Sequence, residues 1–306
     1  MIQLVLKRLL AGLVTLVTVI TLTFFLLRLM PGGPFDTERK LPPAIRKNLE
    51  EQYYLKKPVF EQYILYMKNI VRGNLGPSFK YRNRSVNQIV SKATWISFQL
   101  GVLALALGIG MGIFFGLIAG LTRHLSIDTA LTVLGISAVS TPQFIFGGLL
   151  VLIFSLTLKL LPAATLQSGW HYCLPVVTLA LSPFAFTFLL IRNSVKEIKT
   201  QLHVVIKKSQ GLSMLRIAVA HILRNALIPL VSVIGPISAA IITGSFAVEY
   251  IFAIPGLGKH FITAVTNRDY TLVMGITLIY GLALIVLNML TDIVYGILDP
   301  RLREGQ

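Results

Sequence analysis

Six stretches of at least 18 residues carry no Asp, Glu, Lys or Arg: 9–27, 93–122, 129–158, 160–191, 225–248 and 270–291. A helix that crosses the hydrocarbon core needs about 20 apolar residues, and a charge at its centre costs roughly 2.5–3.5 kcal/mol on insertion scales. The chain is therefore read as an all-α integral membrane protein with six transmembrane helices. A hydrophobic share of 55% and a charged share of 13% agree, as does a mean hydropathy of +0.76. A soluble core of 306 residues would need far more polar surface.

The first stretch follows Lys7 and Arg8, as the apolar part of an export signal would. It runs for 19 residues, ends in Arg28, Leu29, Met30, Pro31 and Gly32, and offers no Ala-x-Ala cleavage pattern. It is expected to remain as the first span. Orientation follows from the positive charge of short loops. With the N-terminus inside, segments 1–8, 123–128, 192–224 and 292–306 carry 12 Lys/Arg, against Lys159, Lys259 and Arg268 in the short outer loops. Both termini are expected in the cytoplasm. Segment 28–92 holds a further 12 Lys/Arg besides Arg28, but its 65 residues exceed the roughly 60 over which that bias operates.

A net charge of +16 invites a nucleic-acid reading. Cytoplasmic cations beside spans meet anionic lipid, at about 1 kcal/mol each, and no basic stripe interleaved with stacking aromatics is present. No nucleic acid is expected as a partner; membrane lipid is. The single cysteine, Cys173, lies in an apolar stretch, which excludes a disulfide framework or a thiolate cluster.

Between the first two spans, Leu41, Pro42 and Pro43 mark a helix start, with a helix expected over 44–55 that bears Glu50, Glu51, Tyr53 and Tyr54. A second helix is expected over 61–71, with Ile64, Met67, Ile70 and Val71 on one face and Gly73, Gly76 and Pro77 ending it. This outer segment is either a docking surface for an external partner or a cap over the bundle.

Gly108, Gly112, Gly116 and Gly120 recur every fourth residue of the second span. Such a stripe lets another helix approach closely; the sharper alternative is that it lines a pathway. Pro142, Pro183, Pro229 and Pro236 remove helical hydrogen bonds and predict kinks. Ser137, Ser140, Thr141, Gln143, Ser232, Ser238, Thr243, Ser245 and Asn288 are the polar groups at depth. Groups of this kind bond between helices or to their own backbone; Ser140, Gln143 and Ser238 are carried as candidate pore residues. The connection 249–269 mixes Tyr250, Phe252 and Phe261 with Pro255, Gly256 and Gly258. It is either a plain interfacial loop or a gate dipping into the outer leaflet, with Glu249 and Arg268 as a candidate pair.

No ionisable side chain is expected at mid-span, which argues against a proton-relay or ion-coordinating carrier. No nucleotide loop supplies energy either. Gly256, Leu257, Gly258, Lys259 and His260 lack the first glycine at Ala253 and end in His. His124, His171, His203, His221 and His260 are too scattered for a metal site. The chain is expected to be neither an enzyme nor a cofactor binder, and to draw on a separate motor.

The 33-residue segment 192–224, with seven Lys/Arg against one Glu, is where such a motor would grip. Its pattern is helix, break, helix: 195–208 with Ile198, Leu202, Val205 and Ile206 to one side, Gly211 as the break, and Ser213 as cap for 214–223. It is longer than an ordinary connection.

Gln210, Gly211, Leu212 and Ser213, followed by Leu227, Ile228 and Pro229, resemble the cytoplasmic coupling loop of type I ATP-binding-cassette importer permeases. Further runs resemble the peptide-transporter branch: Gly244 to Glu249, Ile254 to Gly258, Asn267 to Tyr270, and Asp299, Pro300 and Arg301. With Met30, Pro31, Gly32 and Gly76 to Tyr81, they resemble the B-type permease subunit of oligopeptide importers over almost the whole chain.

The resemblance implies a shared permease domain over 94–293, preceded by a branch-specific first span and outer segment (1–93) and followed by a tail (294–306). It implies a second, homologous permease subunit, two cytoplasmic ATPases that use ATP and Mg, and an extracytoplasmic peptide-binding protein. ATP binding would turn the pore outward and hydrolysis would reset it. His203, Ile206, Lys207, Lys208, Ser209, Gln210, Gly211, Leu212 and Ser213 would form the ATPase-docking loop, in a bacterial inner membrane. The family usually has small residues and an acidic or basic-Ala pattern before the Gly, where this chain has Val205, Ile206, Lys207, Lys208 and Ser209. Oligopeptide is the implied cargo; dipeptides, metal chelates and antimicrobial peptides are its neighbours in the family. A motor-independent channel or a scaffold is the alternative of another class.

Overall fold

The computed structural model describes residues 2–31, 33, 55–81 and 83–298. The helix expected over 44–55 lies outside the described residues except for Leu55, which sits in a turn, and Gly32 and Asp299 to Arg301 lie outside them too. In chain order the helices are α1 (Ile2–Leu29), α2 (Val59–Val71), α3 (Val86–Leu121), α4 (Leu125–Ser140) and α5 (Gln143–Leu150), which continues as a π-helix (Val151–Thr157). A 3-10 turn (Gly169–Tyr172) opens α6 (Cys173–Ile198), followed by α7 (Leu202–Ser209) and α8 (Met214–Ile217). A π-turn (Ala218–Leu223) leads into α9 (Arg224–Ala226), α10 (Ile228–Ile242), α11 (Phe246–Ile251), α12 (Leu257–Thr266) and α13 (Tyr270–Leu298).

Among the described residues, six apolar helical windows are long enough to cross a membrane: Leu6–Leu29, Val86–Leu121, Gly169–Ile198, Met214–Val231, Val233–Ile251 and Tyr270–Thr291. Helix α10 runs unbroken through residues 231–233, so the fourth and fifth windows share one rod rather than forming two crossings. The third expected span, 129–158, is instead a pair, Leu125–Ser140 and Gln143–Thr157, bent by 107°. Counted as one broken span, it restores six. Pro142 explains the break, because a proline drives the preceding residue out of the helical region, and Thr141 is extended (φ −86°, ψ 120°). The fourth span starts at Gly169 rather than at 160, since the chain from Leu158 to Ser168 is irregular. Pro183 and Pro236, by contrast, lie inside α6 and α10.

The chain forms two compact units, Met1–Ile96 with Pro255–Ile285, and Ser97–Ile254 with Val286–Gln306. In the first, Leu16, Ile20, Phe24 and Leu27 of α1 meet Val86, Ile89, Val90 and Ala93 of α3 and the 272–278 stretch of α13 in one apolar cluster. Helix α2 packs on it through Tyr63, Tyr66, Met67 and Ile70. The expected face was thus turned: Met67 and Ile70 point in, whereas Ile64 is exposed and Val71 is 85% exposed. Two rings outweigh two aliphatic side chains here, because aromatics bury more area each. Thr21 and Tyr63 share a hydrogen bond of 2.8 Å. Buried Asp269 accepts from Ser78 Oγ, from the Phe79 and Lys80 amides at 3.1 and 3.3 Å, and from the Leu272 amide of α13 at 3.1 Å. Two sequence runs some 190 residues apart are tied by one carboxylate.

In the second unit the four stripe glycines of α3 lie against α6. A Cβ at Gly108 would stand 2.7 Å from the Ala180 oxygen, at Gly112 2.6 Å from Thr187 Cβ, at Gly116 2.9 Å from the Phe188 oxygen, and at Gly120 2.5 Å from Val195 Cγ1. The helices touch backbone to backbone, which no side chain larger than hydrogen permits. Helix α4 closes on the same helix: a Cβ at Gly135 would stand 2.4 Å from the Phe188 ring, which is buried with Phe184, Ala185, Ala119 and Ala138.

Candidate functional site

Segment 192–224 is helix, break, helix, with boundaries that differ from the sequence expectation. Residues 195–198 finish α6, a turn follows, and the short helix is α7. Its inward residue is Val204, 4% exposed, which joins Ile191, Val195, Ile198, Ile217, Ile222, Ala226 and Leu230 in a cluster that Leu212 also touches. Of the expected apolar face, only Ile198 is buried; Leu202 is 74% exposed, and Val205 and Ile206 are exposed as well. The four residues were predicted as one continuous helix face, and the turn at 199–201 breaks that register. The result is a two-turn helix pinned by one valine, with its apolar residues outward.

Around that helix, Lys207 Nζ donates to Gln210 Oε1 at 3.2 Å and Ser209 Oγ to the Val205 oxygen at 3.1 Å. Gly211 takes φ +78°, and its amide donates to the Lys208 oxygen at 3.0 Å, a helix end that glycine alone adopts without strain. His203, Lys208, Ser209, Gln210, Gly211 and Ser213 are exposed, and Lys207 and Leu212 half-buried. Ser213 precedes α8 in extended geometry but makes no side-chain cap bond, so its role there is backbone alone: its oxygen accepts from the Ile217 amide at 3.1 Å.

Above α7 is a charged knot that sequence reading missed. Asp128, at the start of α4, accepts from Arg192 Nε at 2.6 Å and Nη2 at 2.9 Å, and also from Lys196. Lys199 Nζ donates to the Gly120 oxygen at 2.6 Å, and burial, then neighbouring Lys196, lower its pKa. A bidentate Arg–carboxylate pair fixes orientation as well as distance. It ties α4 to the last turns of α6, one turn before α7. A signal existed: Asp128 is the sole Asp or Glu between residues 62 and 196.

The candidate pore residues fall in separate places. Ser140 is exposed at the end of α4 and Ser238 half-buried on α10. Gln143, the first residue of α5, donates to Ser182 Oγ on α6 at 2.9 Å. Glu249 is 1% exposed and lies near the end of the apolar window Val233–Ile251, on α11 beyond the non-helical break at 243–245, so it is a buried ionisable group away from mid-span. Ser97 Oγ donates to it at 2.7 Å. Gly244, at φ +100°, passes so close that a Cβ there would stand 2.5 Å from Glu249 Oε1. Arg268 belongs to the other unit, half-buried at φ +57° in the turn before Asp269. Nothing in the sequence marked Ser97 as the partner of Glu249, since 152 residues separate them.

A broken-helix bundle with a short helix held between two bends defines the class: a multi-pass permease of the type I importer fold. A family model described as binding-protein-dependent transport system inner membrane component matches residues 112–304, and one for the N-terminal part of such components matches 1–87. The chain belongs to this family, and is a multi-pass inner-membrane protein. It is 42% identical over 297 residues to the dipeptide transport system permease protein DppB of Bacillus subtilis, covering 97% of this chain and 96% of that one. It is 39% identical to the oligopeptide transport system permease protein OppB of Haemophilus influenzae, over 99% of this chain and 100% of that one. To the Escherichia coli OppB it is 37% identical, at the same coverage. A chain of the MetNI methionine ABC transporter, in an inward-facing conformation, superposes with a TM-score of 0.54 at 16% identity, over 69% of this chain and 97% of that one. That likeness shows the fold.

Proposed function

We propose that this chain forms half of the translocation pore of an ATP-driven importer, with oligopeptides as cargo delivered by an extracytoplasmic binding protein. A second permease subunit supplies the other half, and two cytoplasmic ATPases, which bind ATP and Mg, supply the energy. The observation that carries the reading is α7: a helix anchored by Val204, with Leu202, Val205 and Ile206 exposed beside Lys207 and Lys208. Exposed apolar residues rimmed by cations suit a groove with an apolar floor and an acidic edge. The positive-inside distribution supports a cytoplasmic position for this helix. Peptide cargo is supported by the names of relatives at 37–42% identity over nearly full length.

Proteoliposomes holding the assembled complex should take up labelled peptide only with ATP, and a series of peptide lengths separates oligopeptide from dipeptide cargo. A cysteine replacing Ser209 should crosslink to the ATPase. Glu at Lys207 and Lys208 should lower peptide-stimulated ATP hydrolysis; unchanged hydrolysis removes both lysines from the interface. Uptake that proceeds without ATP would favour a channel instead.

A further inference from the structure

Beside the apolar cluster of the first unit lies a small pocket of about 30 Å³, lined by Phe24, Leu27, Arg28, Tyr66, Phe79, Tyr270, Thr271 and Met274. Among the described residues, two of its lining side chains keep a buried donor without an acceptor: Arg28 Nε and Tyr66 Oη. Buried polar groups in folded proteins are almost always paired, so two orphans on one pocket call for an occupant. The Arg28 guanidinium is otherwise well held. Its Nη2 donates to Gln62 Oε1 at 2.6 Å, whose amide nitrogen in turn donates to the Leu55 and Lys57 oxygens at 3.2 and 2.8 Å. Its carbon sits 5.0 Å from the Phe24 ring centroid and 5.3 Å from that of Tyr270. Those ring faces attract the cation but accept nothing from Nε–H. Among the described residues no carboxylate pairs with it.

We propose that this pocket binds one monovalent anion of halide size, chloride being the representative ion. Three properties select it. The guanidinium stays charged at every physiological pH, and among the described residues no carboxylate is paired with it; the nearby Asp269 carboxylate is taken up by Ser78, the Phe79 and Lys80 amides and Thr271. Its two open groups can both donate, which suits an ion that only accepts; Tyr66, packed on Phe24 at 6.2 Å between centroids, has its hydroxyl pKa raised by burial and remains a donor. A water needs about 10–15 Å³ of such space, so 30 Å³ has room for one bare halide. The lining comes from α1, α2, the 79 loop and the start of α13, and a bound anion would hold these four pieces together.

The test uses the full chain in its assembled complex, in nanodiscs, with thermal unfolding followed in chloride, bromide or gluconate at equal ionic strength. Chloride and bromide should raise the Tm saturably, by about 2–4 °C at ten times the dissociation constant, and gluconate should not. Tyr66→Phe keeps the ring and should weaken halide affinity about tenfold, the value of one lost charge-assisted bond. Arg28→Gln should abolish the shift. Equal Tm in chloride and gluconate overturns the proposal, as does a Tyr66→Phe protein with the full halide response. Repeating the series in zwitterionic and anionic lipid separates free halide from a lipid phosphate. A halide shift that vanishes in anionic lipid would assign the pocket to the headgroup and overturn the proposal too.

Discussion

At the scale of single residues, close contact makes the sharpest forecasts. A valine at Gly112 would bring its Cβ to 2.6 Å from Thr187 Cβ. Helix α3 must then move off α6, at a cost of about 1–3 kcal/mol for overpacking, and the variant should unfold several degrees earlier. Gly110, two residues away, has nothing within 4 Å of its missing Cβ; Gly110→Ala should hold or gain stability, by up to about 1 kcal/mol from helix propensity. Comparing the two Tm values separates contact from a general intolerance of glycine loss. His260 gives a pH forecast. Burial first, then Lys259 and Arg84, lower its pKa below the usual value, and Tyr81 covers its ring at 6.1 Å. The unfolded chain takes up this proton near pH 6.5, before the folded chain does, so stability is lost as pH falls through that value. His260→Gln should show a smaller drop in Tm between pH 7.5 and 5.5. The glycine spacing was legible in the sequence because a period of four is written in it. The Ser97–Glu249 and Ser78–Asp269 bonds were not, because nothing local marks partners that the chain brings together across 152 and 191 residues.

At the scale of elements, hydropathy located the apolar runs and proline located one break, yet faces were read less well. Helices α2 and α7 were each assigned an aliphatic face, and in both the structure turns it outward in part. Short helices are oriented by whichever one or two side chains find a cavity, and that cavity belongs to other elements. For α7 the deciding side chain is Val204. Val204→Ala should cost about 1.5–2 kcal/mol of stability for two buried methyl equivalents, read as a lower Tm, and should uncouple ATP hydrolysis from uptake by freeing the helix. Leu202→Ala, at an exposed position, should leave the Tm of the chain unchanged and weaken only ATPase association, measured by co-purification. If both variants lower Tm alike, Leu202 is packed within the chain, and the outward face does not exist.

At the scale of the whole molecule, the charge distribution and the fold have to agree on sidedness. The bidentate Asp128–Arg192 pair, Lys196 and Lys199 gather cations where the loops 123–128 and 192–224 leave the spans, while Lys159 sits in the loop at the other end of α6. Alternation of spans therefore requires Lys159 and Ser209 to be on opposite faces, and the positive-inside bias puts Ser209 with the cytoplasm. Both positions are exposed, so one chemistry can report on them. In a background with Cys173→Ser, a cysteine at Lys159 should react with a membrane-impermeant maleimide on intact cells after the outer membrane is opened. A cysteine at Ser209 should react only once the inner membrane is permeabilised. The count of six depends on treating the pair bent by 107° as one crossing. If that pair enters and leaves by the same face, the loop carrying Lys159 and segment 192–224 exchange sides relative to the N-terminus, and the two labelling results would be reversed.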